Sequence, residues 1–404
     1  MSQLLLHNAR IVTGRSIIPG GLLVRDGRIA EVFTDEHIPV GLGERESLDM
    51  AESILAPGLI DIHIHGSAGV DVQNADGAGL ARLSEYLLAE GVTGYLATFV
   101  PTDAGGYLSA GREIESFMKA QDGAGPGARP HARALGIHFE GPFVSEQRCG
   151  ALRREHFRTY DNDPRSLELF FGGSGGSGPA FARAMTLAPE VRGGLDLARA
   201  VTRLGARAFI GHSQADPETL DLAFEAGARH ITHFPNALDA LHHRKPGAVA
   251  WGLTRDDVTV DAIADLHHVH PLMLRLVYKC KGAGRLALIS DAIQPAGLGD
   301  GEFTVWGERI AVRGGRTSLA GDPKDTIAGS VITLREALRN MVGLGLPLHE
   351  AIHMCSLVPA RAAGIDGEYG SLERGKRADI VAFDDELNVQ RAFIAGGLRK
   401  ESLP

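Results

Sequence analysis

Residues 61–65 place one aspartate and two histidines at alternate positions, Asp61-Ile62-His63-Ile64-His65. Side chains on a strand alternate between its faces. A strand here would send Asp61, His63 and His65 one way and Ile60, Ile62 and Ile64 the other. Two imidazoles so spaced near a strand's end can meet one metal ion. Taken alone, the pair is equally what ordinary polar residues at a strand end look like. The same residue types recur downstream. Alternation over residues 135–140 puts His138 and Glu140 on one face, with Leu135, Ile137 and Phe139 on the other. His212 follows Phe209-Ile210-Gly211, His233 follows Ile231-Thr232, and Asp291 follows Leu288-Ile289-Ser290.

Neutral imidazoles with a carboxylate suit zinc or another borderline divalent ion. Such an ion lowers the pKa of bound water to about 7. Asp291 can then accept a proton from that water and return it to a leaving amine. Hydrolysis of a C–N bond is the natural use of these groups.

The elements that must carry them are legible in outline. From Gly58 onward, short apolar runs alternate with amphipathic stretches such as residues 79–91, 196–205 and 218–227. Eight such runs lie within residues 59–66, 93–100, 134–141, 183–190, 207–213, 230–237, 258–266 and 286–292. This is the pattern of an α/β protein with a (β/α)8 TIM-type barrel, whose active sites gather at the C-terminal ends of the strands. Candidate ligands end the first, third, fifth, sixth and eighth runs, the arrangement such a rim requires. Both ends of the chain read as strands, with Asp26-Gly27 a hairpin turn. The expected organisation is a small β-sandwich domain from residues 1–57 and 370–404, beside a barrel of residues 58–369. The Gly/Ser-rich stretch 170–179 has linker composition, either a surface loop or a mobile lid.

The bulk composition bounds the partners. The 404 residues carry a net charge of −9, which argues against nucleic acid or an anionic membrane surface. An anionic ligand must therefore be met by a local patch. Three scattered cysteines, Cys149, Cys280 and Cys355, make no disulfide framework. Residues 1–14 lack the apolar core of a signal peptide, and no stretch has the length of a membrane span. The expectation is a soluble, cytoplasmic protein.

Assembled, these motifs resemble the amidohydrolase superfamily, and within it the N-acetylglucosamine-6-phosphate deacetylases. The resemblance is carried by PGLIDIHIHG (57–66), GIHFEGPF (136–143), MTLAPE (185–190), GHSQAD (211–216), THFPNAL (232–238), LHHRKPG (241–247), IADLHHV (263–269), LISDA (288–292) and IAGS (327–330). These run in the family's order over nearly the whole chain. The resemblance implies removal of acetate from N-acetylglucosamine 6-phosphate, giving glucosamine 6-phosphate. It implies that Glu140, His212 and His233 bind the principal metal and that Asp291 is the catalytic acid/base, itself close enough to ligate. His63 and His65 would hold a second ion, with Glu140 bridging. The metal is expected to be zinc, with iron, cobalt and manganese as other candidates, at one or two ions per subunit. His268 would act near the reacting amide. Asn236, Ala237, His243 and Arg244 would meet the phosphate, and Asp265, Ile327, Ala328 and Gly329 would line the sugar site with Ala151 and Leu152. A homodimer is implied, with Arg244 available to the neighbouring subunit.

One departure bears on substrate choice. Where the family carries Lys-Gly-Ala-His, this chain has Cys149-Gly150-Ala151-Leu152. A polar sugar contact is expected to be missing, which leaves N-acetylgalactosamine 6-phosphate as an alternative substrate. Pro235 also stands where another residue is usual, stiffening the loop expected to meet phosphate. A cyclic-amide hydrolase of the dihydroorotase kind would bridge its metals with a lysine on the fourth strand, and residues 181–190 contain none. A non-catalytic scaffold would be marked by a broken ligand set. His242, His267 and His270 read as loop residues, and His131, His156, His349 and His353 as structural ones.

Overall fold

The computed structural model describes residues 3–37, 46–123, 129–172, 181–322 and 326–398. Eight strands form one parallel sheet in chain order: Leu59–Ile64, Val92–Phe99, Arg133–Glu140, Ala182–Leu187, Arg207–Ile210, His230–Ile231, Thr259–Ile263 and Leu286–Ile289. Its two ends meet where the Asp291 N–H donates to the His63 carbonyl at 2.9 Å. The apolar runs of the sequence are thus the staves of a barrel, and each is buried along almost its whole length. Full burial on both faces is what a parallel sheet covered by helices demands.

The helices start where their caps dictate. Asp76 accepts from Gly79 N–H at the start of Gly77–Ala89, and Asp216 accepts from Thr219 N–H ahead of Pro217–Glu225. Thr333 and Glu336 close a reciprocal capping box on Leu334–Gly343. Each such cap satisfies backbone donors that the helix itself cannot. The outer faces of strands two and three pack in an aromatic cluster. Phe139 stands with its ring 5.7 Å from Phe99, 5.7 Å from Tyr107 and 5.1 Å from Phe170.

A second sheet joins both ends of the chain. Gln3–Val12 lies at its centre, antiparallel to Ile17–Arg25 and parallel to Ile54–Pro57, which in turn pairs with Ile380–Phe383. Asp26 and Gly27 form the expected turn, both with left-handed backbone, and Arg25 faces Arg28 across it. Leu4, Leu6, Ile380, Ala382 and Phe393 bury into one small core. Ile54, Ala56, Val381 and Phe383 face the other way and join the barrel's core. The strand leading into Asp61, His63 and His65 is therefore anchored from both sides.

One element escaped the sequence reading. After strand eight the chain makes a three-stranded antiparallel sheet, Gly301–Val305, Glu308–Arg313 and Arg316–Leu319. Its turns fall at Trp306-Gly307 and Gly314-Gly315, and Gly307, Gly314 and Gly315 all have positive φ. The Gly/Ser-rich stretch falls largely at residues 173–180, outside the described residues.

Candidate functional site

The strand ends bring together two groups of three ligand-type side chains. Glu140, His212 and His233 form one; His63, His65 and Asp291 form the other. All six are buried, and within each group the ligand atoms lie within 4.8 Å of one another. Glu140 links the groups. Its Oε1 is 2.9 Å from His212 Nε2 and 3.0 Å from His233 Nε2, while its Oε2 is 3.4 Å from His65 Nε2. Asp291 Oδ1 lies 3.2 Å from His65 Nε2 and 3.5 Å from His63 Nε2.

Local backbone geometry turns these side chains inward. His212, His233 and Asp291 each follow the last residues of a strand and adopt left-handed φ of 48°, 35° and 50°. Non-glycine residues pay for that conformation. Its recurrence at three of the six positions marks a rim that the surrounding fold holds in place.

Hydrogen bonds fix the imidazoles and decide what the cluster needs. His212 Nδ1 donates to the Arg148 carbonyl at 2.7 Å, and His65 Nδ1 to the Thr98 carbonyl at 3.1 Å. A carbonyl can only accept, so each neutral ring carries a bare lone pair on Nε2. The His212 lone pair faces Glu140 Oε1 and, at 3.0 Å, His233 Nε2. The His65 lone pair faces carboxylate oxygens and, at 3.2 Å, His63 Nε2. Acceptors crowded on acceptors in a buried place require positive charge between them. A divalent cation bound by three such ligands supplies it, so these residues fit a metal in both groups.

The electrostatics agree. Burial pushes the Glu140 carboxyl up, but His63, His212 and His233 outweigh it and hold the group well below the usual carboxylate range. Burial depresses His233, yet the hydrogen bond and charge of Glu140 overcome that and raise its pKa to about 9. Without metal, the site collects protons where it would collect a cation.

A further layer positions these groups. His138, on the inner face of strand three, bonds the Ile62 carbonyl at 3.0 Å and Thr186 Oγ1 at 2.8 Å. It sits beneath the cluster, 4.8 Å from the His63 ring. Asp261 accepts from the His233 backbone N–H and bonds His230 Nε2 at 2.7 Å. Asp265 takes His268 Nδ1 at 2.6 Å and the His267 and His268 N–H groups at 2.9 and 2.8 Å. Burial opposes the charge on Asp265, but the contacts from His268 prevail and its pKa lies below the ordinary value.

Above the cluster opens a cavity of about 320 Å³. Its wall includes His65, Glu140, Ala151, Leu152, His212, His233, Asn236, Ala237, His268, Asp291, Ile327 and Gly329. His63 lies deeper, fully buried. Two expectations need correction. Asp265 faces His268 rather than the cavity, because its carboxylate is consumed by the turn it closes. Ala328 turns away and packs with Ile293, Val305 and Ile310. His243 and Arg244 sit in an exposed turn, His243 stacked on His242 at 4.5 Å, and neither reaches the cavity of its own chain. Sequence reasoning also missed Trp306, Ile263 and Thr326 on the wall. Trp306 had a signal, the Trp306-Gly307 turn between β-rich runs.

Known proteins resemble this chain over nearly its whole length. The amidohydrolase family model matches residues 286–399. The chain is 39% identical over 380 residues to an N-acetylgalactosamine-6-phosphate deacetylase of Escherichia coli O157:H7, covering 93% of this chain and 94% of that one. It is 35% identical over 398 residues to an N-acetylglucosamine-6-phosphate deacetylase of Bacillus subtilis (strain 168), covering 98% and 97%. Among solved structures, a mutant N-acetyl-D-glucosamine-6-phosphate deacetylase of Mycobacterium smegmatis in complex with N-acetyl-D-glucosamine-6-phosphate superposes with a TM-score of 0.86 at 30% identity. That match covers 99% of this chain and 100% of that one.

Proposed function

Because the chain belongs to the N-acetylglucosamine-6-phosphate deacetylase family of metal-dependent amidohydrolases, we propose that it hydrolyses the N-acetyl group of N-acetylglucosamine 6-phosphate or a close amino-sugar phosphate. The products are acetate and the free amino-sugar phosphate. The observation that carries this reading is the pair of three-ligand groups joined by Glu140 at the floor of a sugar-sized cavity.

Glu140, His212 and His233 would hold the principal cation, and His63 and His65 a second one with Asp291 beside it. When bound, a divalent cation such as zinc supplies Lewis acidity and lowers the pKa of water toward about 7. Asp291 takes the proton from the attacking water and delivers it to the departing amine. His268, held through Nδ1 by Asp265 on the cavity wall, is placed to donate to the acetyl oxygen as charge develops there. Such a donor is worth roughly 3–4 kcal/mol when it meets an oxyanion. Ile327 and Gly329 line the sugar. Asn236 and Ala237 offer amide groups to the phosphate, and Arg244 of a neighbouring copy completes its pocket in a homodimer. A phosphorylated sugar does not cross membranes freely, and no helix among the described residues is long and apolar enough to span one. The first point supports a cytoplasmic enzyme.

The test is acetate release from N-acetylglucosamine 6-phosphate and from the unphosphorylated sugar, before and after chelation and zinc return. We expect turnover of the phosphate ester, loss on chelation and recovery with metal. Absence of acetate with every divalent ion tried would reject the reading.

A further inference from the structure

The cavity's two sides differ in kind. The side raised on strands six and seven is polar, with Asn236 and His268. Above the ligands His65 and Glu140 of strands one and three, the wall is apolar, built from Ala151, Leu152 and Trp306. Leu152, in the loop after strand three, packs with Val100, Val144 and Phe157. The hairpin after strand eight lays Trp306 onto the same cluster, its ring centroid 5.1 Å from that of His65 at an interplanar angle of 84°. Leu152 and Trp306 both line the cavity, so a sugar ring above His65 meets indole and leucine on one flank and hydrogen-bonding groups on the other.

Hexosamine epimers answer such a wall differently. In the gluco configuration O3 and O4 are both equatorial and project around the ring's edge. A hydroxyl buried against leucine loses water and gains no partner, which costs binding. In the galacto configuration O4 is axial and rises to one face. The C–H groups of C3, C4, C5 and C6 on the opposite face then form a continuous apolar patch, suited to lie against an aromatic ring. A ring with one polar and one apolar face matches a cavity divided the same way.

We infer that Trp306 and Leu152 read the sugar epimer, and that the chain acts on N-acetylgalactosamine 6-phosphate in preference to the gluco ester. The inference rests on the deacetylase reading above and adds to it the residues that choose the sugar.

The experiment compares kcat/KM for the two 6-phosphates with the metal-loaded enzyme, then with Leu152→His, Leu152→Asn and Trp306→Leu. We expect the galacto ester to lead by at least about tenfold, equal to about 1.4 kcal/mol. Either Leu152 substitution, by supplying a hydrogen-bonding group, should move the ratio toward the gluco ester. Trp306→Leu should lower the galacto value more than the gluco value. Two Leu152 variants are used so that poor folding of one does not decide the matter. Turnover of both esters with a ratio near one, or a ratio that none of the three substitutions moves, overturns the epimer inference and leaves the deacetylase reading standing. Acetate from neither ester overturns both.

Discussion

At the scale of single residues, the proposed function asks the most of Asp291. Its carboxylate borders the cavity, touches His65 and is within reach of His63. Asp291→Asn keeps the size and one oxygen but cannot accept a proton. We expect it to retain metal at the Glu140, His212 and His233 group while kcat falls at least about a hundredfold. Metal content by elemental analysis beside steady-state rates checks this, and near-normal turnover would remove Asp291 from the proton path. A second expectation concerns protons and metal competing for one place. His233 is raised from an ordinary 6.5 to about 9 in the metal-free fold. A raised pKa means that its charge stabilises the fold fully below about pH 6.5, and that this contribution is lost as pH rises through about 9. Metal requires deprotonated ligands, so its own contribution grows over the same interval. The chelated protein should therefore lose thermal stability between pH 6.5 and 9 relative to the zinc-loaded one. Parallel melting curves across that range would show that protons and cation do not share the site. The six ligand-type residues were legible because period-two alternation is a strong rule and each closes an apolar run. Asp265 was not, because Asp265-Leu266-His267-His268 reads the same whether the carboxylate faces a ligand or the histidine three residues on.

At the scale of elements, strands declare themselves by what they bury, and the barrel's eight were readable for that reason. The hairpin carrying Trp306 was not. Its strands are short and half-exposed, and its alternation is weak beside the continuous apolar runs around it. It reaches the site across space, from strand eight over to strand three, which no local pattern reports. The helices offer a control for the functional arguments. The capping box of Thr333 and Glu336 opens a helix that contributes no residue to the cavity wall. Thr333→Ala leaves a backbone donor unsatisfied and should cost about 1 kcal/mol of stability. Thermal or urea unfolding would register that loss, while kcat and KM at 25 °C should stay within about twofold. A large change in kcat instead would mean that this helix supports the catalytic rim more directly than its place in the fold implies.

At the scale of the whole molecule, the phosphate contact proposed above would call on a second copy of the chain. Asn236 and Ala237 stand at the cavity, while Arg244 lies in an exposed turn. A guanidinium fork is the natural partner of a phosphate ester, and the homodimer proposed above would bring Arg244 to it across a two-fold interface. In such an interface each copy gives what it receives. Arg244→Ala should then raise KM for the phosphorylated sugar and leave an unphosphorylated analogue unchanged. Mixed dimers make the argument sharper. Arg244→Ala subunits keep Asp291, and Asp291→Asn subunits keep Arg244. If the arginine crosses, a heterodimer of the two has one complete site, fed by the Asp291→Asn copy, and one site lacking both groups. Differently tagged, co-expressed and doubly purified heterodimers should show about half of wild-type activity at low substrate, well above either parent. If Arg244 serves its own subunit, one site lacks the arginine and the other lacks the base. The heterodimer is then no better than the average of its parents, and failure of the two tags to co-purify would remove the dimer itself.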